Sequence, residues 1–249
     1  MQLHTNLWYA EYTHEQAIRQ FSSSFGDLLS VFEKHKAAAC WDWETSISLQ
    51  MLSEANPDFL VRLNALVDAG LHDVIPCTWG NVLATHNTLA EFHDNFQKSQ
   101  DVMKKYFRKI SPTWVSQDGA WSPQFLPLLK EKGIQYLLLD QRVLNRFAKG
   151  VLNKAQRFQA CNLRGRFPQS LEFAISSEGD NAWDSIPCLF FGFEGLNSYG
   201  DYAATYKKRV AELPDDQDCL LYGFIDTERI NPLLLDKWLS QIEEAGDRK

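Results

Sequence analysis

Asp226 directly follows the apolar run Cys219–Ile225, and Glu228 and Arg229 stand just beyond it. A carboxyl group at the end of a buried strand is well placed for acid–base work, because strand ends in α/β proteins open onto a cleft. The pattern recurs along the chain. Trp8, Tyr9 and Glu11 close the first apolar run, and Trp41, Asp42, Trp43 and Glu44 the second. Thr78, Trp79 and Asn81 close the third, Asp118, Trp121 and Gln124 the fourth, Asp140 and Arg142 the fifth, and Phe193 and Glu194 the sixth. Of 8 tryptophans, Trp8, Trp41, Trp43, Trp79 and Trp121 fall at such ends. Sugars suit this mixture: their apolar ring faces stack on aromatics, and their hydroxyls need planar hydrogen-bonding partners. Glycoside hydrolysis commonly uses two carboxyl groups, about 5 Å apart for retention and about 6.5–9.5 Å for inversion. Asp226 is the best acid/base candidate. Its competing role is a helix N-cap or a partner for Arg229.

These residues need a scaffold that brings many strand ends together. Gln2–Tyr9 reads as a strand, and Ala17, Ile18, Phe21, Phe25, Leu28, Leu29 and Phe32 then recur at helical spacing. Ala37–Trp43 is the next strand. Pro57 opens a helix that Gly70 closes, and Asp73–Cys77 is a third strand. A helix carrying Leu89, Phe92, Phe96, Met103 and Phe107 follows. Thr113–Val115 begins a fourth strand, a helix runs from Pro123 to Gly133, and Gln135–Leu139 is continuously apolar, as a strand buried on both faces would be. The pattern weakens over residues 141–187, an insertion-like segment with short strands expected around Arg157–Leu163 and Leu171–Ile175. Cys188–Phe193 and Cys219–Ile225 read as strands, and Tyr202–Leu213 and Leu233–Ile242 as helices.

Strand and helix thus alternate, which a parallel sheet covered by helices satisfies. No GxGxxG or Walker motif follows the first strand, so nothing marks a nucleotide-binding open sheet. The expectation is a single domain over residues 1–249: an α/β fold, a (β/α)7-type barrel of parallel strands surrounded by helices. Its net charge of −7 argues against duplex nucleic acid, which needs a basic footprint. No apolar run reaches the roughly 20 residues of a membrane helix, and the start of the chain shows no secretory signal. The five cysteines form no CxxC pair and read as structural thiols of a reducing compartment, so a cytoplasmic protein is expected. His86 and His93 lack a neighbouring Asp that would complete a metal site and read as solvated side chains; no metal and no cofactor are expected.

Several segments together resemble glycoside hydrolase family 57, which shares its fold with family 38 mannosidases and polysaccharide deacetylases. The strongest is Gly119-Ala120-Trp121-Ser122-Pro123-Gln124, followed by Lys132-Gly133-Ile134-Gln135-Tyr136; it is similar to the family's Trp-x-x-Glu motif and the Gly-Ile-x-Tyr segment after it. Ala69-Gly70-Leu71-His72-Asp73-Val74-Ile75 resembles a Gly-x-x-Glu-hydrophobic segment, and Val82-Leu83-Ala84 follows it at nearly the expected distance. Ser46–Leu52 looks like the segment after the second strand, and Asp226-Thr227-Glu228-Arg229-Ile230-Asn231 resembles the Asp-x-Glu-x-Phe-Gly motif. His4 corresponds to the His of the first motif.

The resemblance implies that Asp226 is the acid/base and that Gln124 stands where the family carries its nucleophilic Glu. Asp73 replaces the Glu of the second motif, and Asn231 the Gly of the last. An amide is neutral and makes a poor glycosyl nucleophile. Three readings follow. The first is a glycosidase or transglycosidase on α-linked glucans, in which Gln124 is an engineered replacement of a Glu or another carboxylate (Asp118, Glu44 or Glu194) bypasses it. The second is a catalytically inactive barrel that binds or regulates through carbohydrate. The third is a deacetylase-like metal hydrolase. The expected substrate contacts are His4, Trp8, Trp41, Trp43, Asp73, Trp79, Asp118, Trp121, Asp140 and Glu228. The expected partner is an oligosaccharide or polysaccharide, with no nucleic acid and no membrane. The resemblance also implies that the family's C-terminal helical region is missing, leaving an apolar patch that a partner, or a second copy in a homo-oligomer, would cover.

Overall fold

The computed structural model describes residues 2–7, 12–115, 117, 120–139, 161–164, 170–175, 211 and 224–244. Sheet order is β3-β2-β1-β8, built from β1 (Gln2–Thr5), β2 (Ala39–Trp43), β3 (His72–Ile75) and β8 (Phe224–Asp226). Every pairing in it is parallel. A second sheet has the order β4-β5-β7-β6: β4 (Thr113–Val115), β5 (Tyr136–Leu139), β7 (Ser170–Ile175) and β6 (Cys161–Arg164). Its pairings are parallel except β6 with β7, which is antiparallel. The Ser111 N–H, just before β4, donates to the Val74 carbonyl of β3 at 2.7 Å and joins the two sheets. The strands expected around 157–163 and 171–175 are described as Cys161–Arg164 and Ser170–Ile175, paired antiparallel, whereas residues 157–160, the expected strand 188–193 and, apart from a turn at residue 211, the expected helix 202–213 lie outside the described residues.

Helices α1 (His14–Ser22), α2 (Ser24–His35), α3 (Ser48–Ala55) and α4 (Pro57–Asp68) pack on the first sheet. α5 (Leu89–Tyr106) and α6 (Leu126–Glu131) serve the second, and α7 (Pro232–Glu244) returns against α2. The continuous periodicity from Ala17 to Phe32 predicts one helix, but the chain breaks at Ser23 (φ −124°, ψ −68°), so α1 and α2 are separate. Thr13 with Gln16, and Thr88 with Glu91, form capping boxes that satisfy the first N–H groups of α1 and α5. Gly70 (φ 72°) and Gly133 (φ 83°) close α4 and α6 in the left-handed region that glycine tolerates best. α7 is held to α2 through His35, whose Nε2 lies 2.6 Å from Asp236 and whose Nδ1 lies 3.0 Å from Glu243.

Alternation along β2 decides what faces what. Successive strand side chains point to opposite faces. Trp41 and Trp43 share the helix-covered face, stack at 5.6 Å with planes 8° apart, and meet Phe59 edge-on. Both are 0% exposed. Expected as sugar platforms, they are core residues: a ring sealed between sheet and helices has no face left for a ligand. Trp121 is corrected likewise. It is 3% exposed and packs in the second core cluster with Trp114 and Phe125.

Candidate active site at the strand ends

Register carries the site. His4 of β1 is aligned with Asp42 of β2 on one side and Asp226 of β8 on the other. In parallel neighbours, aligned residues point to the same face, so the three side chains form one row at the C-terminal end of the sheet. Leu3, one residue earlier, is aligned with Trp41 and Ile225 and faces the helices. His4 Nδ1 lies 2.7 Å from Asp42 Oδ1, with both side chains buried. The Asn81 side-chain amide lies 3.0 Å from His4 Nε2. Asn81 takes a left-handed backbone (φ 52°), which asparagine tolerates better than most residues, and this aims it back at β1. The turn after β8 is fixed by Thr227, whose hydroxyl donates to the His4 carbonyl (2.8 Å) and meets Thr5 Oγ1 (3.0 Å).

Burial by itself would lower the pKa of His4. Asp42 opposes this by charge and hydrogen bond, Asp226 and Glu228 add to it, and together they raise the pKa to about 9. His72 is the opposite case. Buried below Trp41, it accepts the indole N–H at 2.9 Å, and its Nε2 lies 3.1 Å from the Ala37 carbonyl. Burial outweighs that hydrogen bond and lowers its pKa to about 4.

These shifts predict a pH profile for folding. A raised histidine stabilises fully below its unfolded value of 6.5, and that contribution is lost as pH rises through about 9. A lowered histidine that must stay neutral stabilises above 6.5, and that contribution is lost as pH falls toward about 4. Each group contributes a slope of up to about 1.4 kcal/mol per pH unit in its window. Urea unfolding at stepped pH checks this. In His4→Gln the alkaline loss should vanish while the acid loss persists; an unchanged alkaline slope would refute the assignment.

The other expected site residues divide. Glu44 is fully buried and turned to the start of α3, where it accepts from the N–H groups of Ser46 (2.6 Å), Ile47 (3.3 Å) and Ser48 (2.8 Å) and from the Ser46 hydroxyl. Committed to these donors, it is a helix anchor rather than a second catalytic carboxylate. Asp73, expected as a substrate contact, is exposed and aligned with Cys40, two residues before the row of Asp42. Trp79 stays 37% exposed, with Lys98 Nζ 5.1 Å from its ring centroid. Gln124 is exposed in the helical turn Pro123–Phe125 that leads into α6. Asp226 is half-buried. Glu228, also half-buried, lines a groove of about 740 Å³ shared with α1, α2 and the start of α7. Trp8, Asp118, Asp140 and Glu194 lie outside the described residues.

Asp42 and Asn81 stood among the strand-end residues but were not singled out for the site. The signal for Asp42 was present: on a strand reading Trp-Asp-Trp, the Asp must face away from two buried rings. Cys40 and Cys77 take part in no disulfide, and burial raises the first thiol to about 11 and the second well above its ordinary value. Among the described residues, no group of three or more His, Cys, Asp or Glu side chains is placed to hold a metal ion, and no helix is long and apolar enough to cross a membrane.

Parallel strands under helices, with a histidine between two aspartates at the strand ends, define an α/β protein with a charged cluster at the edge where such folds bind ligands. The sequence model of glycosyl hydrolase family 57 matches residues 4–168, and the chain belongs to that family. No curated protein matches it by sequence. Among solved structures, the 4-alpha-glucanotransferase of Thermococcus litoralis superposes with a TM-score of 0.69 at 16% identity, covering 92% of this chain and 33% of its own. A GH57-type branching enzyme from Pyrococcus horikoshii gives 0.69 at 11% identity, with 98% and 67% covered. An alpha-amylase from Thermotoga maritima gives 0.67 at 10% identity, with 100% and 72% covered. At these identities the likeness concerns the fold, and the chain spans about a third of the glucanotransferase.

Proposed function

We propose that the chain is a carbohydrate-active member of family 57 that holds an α-linked glucan oligosaccharide at the strand ends, with Asp226 as acid/base and Gln124 where a nucleophile would stand. The strands are proposed to close as a single (β/α)7-type barrel domain, a reading supported by the neighbour order β8-β1-β2-β3 and the hydrogen bond that joins β3 to the segment before β4. The observation that carries the functional reading is the row Asp42–His4–Asp226, a charged cluster kept at the one place in this fold where ligands bind. Two of the structural neighbours, a glucanotransferase and a branching enzyme, point to glucan as the sugar class. Cys40 and Cys77, which take part in no disulfide, support a reducing compartment.

In this reading Asp226 can pass a proton to a leaving oxygen, but the neutral Gln124 amide can neither form the glycosyl ester nor stabilise an oxocarbenium-like centre. The chain therefore binds glucan and hydrolyses it poorly or not at all. Gln124→Glu should raise maltooligosaccharide hydrolysis by at least 100-fold, and Asp226→Asn in that background should abolish the gain. Calorimetry with maltotriose tests binding independently. If neither the parent chain nor Gln124→Glu binds or cleaves glucan, the reading fails; cleavage by the parent chain that survives Asp226→Asn refutes the acid/base role.

A further inference from the structure

A short helical turn, Thr227–Arg229, follows β8, and its first residue sits between two carboxyls. Asp226 stands in the row beside His4, and Glu228 lines the groove against α1 and α2. Thr227 itself is buried. A hydroxyl has one proton to give. Thr227 gives its proton to the His4 carbonyl at 2.8 Å, so in its 3.0 Å contact with Thr5 it accepts and Thr5 donates. The result is a directed chain from the Thr5 hydroxyl through the Thr227 hydroxyl to the His4 carbonyl, whose bonds strengthen one another. Thr5 is buried too, and its carbonyl accepts the N–H of Glu44, the residue just past β2, at 2.9 Å. These bonds tie the ends of β2, β1 and β8 at one level. Successive residues of a strand face opposite ways, so Thr5 points away from His4, and Thr227, which meets it, lies behind the row rather than in it. The turn is closed by the Ile230 N–H, which donates to the Thr227 carbonyl at 3.2 Å, and Ile230 is packed in the first core.

We propose that Thr227 is the positioning residue of this site: its hydroxyl, anchored by Thr5, fixes the backbone from which Asp226 and Glu228 project and so sets where both carboxyls stand relative to His4. The proposal rests on the acid/base reading of Asp226 and adds what holds that carboxyl in place. Behind the sheet edge, Thr227 acts through its two neighbours and not on a substrate. Without the hydroxyl the turn keeps the backbone bond from Ile230 but loses its tie to β1, and the segment carrying both carboxyls can pivot. A reacting group misplaced by about 1 Å can cost about 100-fold in rate. The same displacement is readable without any sugar. Asp226 and Glu228 both favour the charged form of His4, and that influence falls with distance.

Thr227→Val, which keeps the shape and removes the hydroxyl, and Thr227→Ser, which keeps the hydroxyl, test this on the full chain. NMR titration of the His4 ring is the first readout, and maltooligosaccharide hydrolysis in the Gln124→Glu background the second. In Thr227→Val, His4 should bind its proton at least about 3-fold more weakly, and kcat should fall by about 10-fold or more while KM changes by less than about 3-fold. Thr227→Ser should restore both. Urea unfolding verifies that each variant is folded; Thr5→Val, which removes only the outer hydroxyl of the chain, gives the same readouts should Thr227→Val not fold. A folded Thr227→Val in which the His4 titration or, where hydrolysis is present, kcat is unchanged overturns the proposal, as does a Thr227→Ser no better than Thr227→Val. If Gln124→Glu brings no hydrolysis, the His4 titration alone decides the role of Thr227. If hydrolysis survives Asp226→Asn, the acid/base reading falls by itself, and the titration still decides whether Thr227 places the carboxyls.

Discussion

Asp42→Ala should destabilise the protein by about 3–5 kcal/mol at neutral pH, the cost of leaving a buried charge without its partner. The His4–Asp42 pair is almost fully shielded, with side chains 5% and 4% exposed, so bulk water cannot replace the lost carboxylate. His4 must then lose its proton or find another counter-charge. Asp226 and Glu228 supply part of one, but they contribute less than Asp42 does. The imidazole should therefore titrate below its present value of about 9, and the alkaline loss of stability should shrink. Asp42→Asn separates charge from shape, since it keeps an oxygen for Nδ1–H, and should cost less than alanine. Urea unfolding together with NMR titration of the His4 ring reads both quantities. A fully stable Asp42→Ala whose His4 still titrates near 9 would show that the pair does not organise the site.

Trp41→Ala should cost a further large amount, about 3–5 kcal/mol, the range for removing a buried Trp or Phe side chain. The ring is 0% exposed, stacks on Trp43, meets Phe32 and Phe59 edge-on, and gives its N–H to His72. Its removal opens a cavity between β2 and the helices and leaves the His72 nitrogen without its donor. The same substitution separates a core role from a sugar platform. In protein that remains folded, affinity for maltotriose should change by less than about 3-fold, because the ring does not reach the strand ends. Trp79→Ala is the comparison: its exposed ring should hardly affect stability. A Trp41→Ala chain with normal stability and no glucan binding would reverse the correction made above.

Much of this arrangement was legible in the residues. Apolar period and capping residues located most strands and helices, since those signals are local: Thr88 with Glu91 starts α5, and Gly133 ends α6. The motif around Trp121–Gln124 lies within residues 4–168, the stretch that the family model matches. What local signals did not separate was the single run of periodicity across Ser23, because α1 and α2 are both amphipathic and no proline or glycine marks the break. The site was only half legible. Asp226 ends its strand as expected, but which Trp faces a ligand depends on face, and face depends on what covers the sheet.

By itself, then, the amino-acid sequence determined the parallel α/β class, the family and Asp226 at a strand end. Only the tertiary structure decided that His4 lies between Asp42 and Asp226, that Glu44 is spent on the start of α3, and that Trp41, Trp43 and Trp121 are core. The reason is the range of the forces involved. Periodicity and capping act within a few residues, whereas the His4–Asp42 contact spans 38 positions and the lock between Thr5 and Thr227 spans 222. Strand register, set once the sheet has formed, converts those distant positions into neighbours and sets the charge that His4 carries.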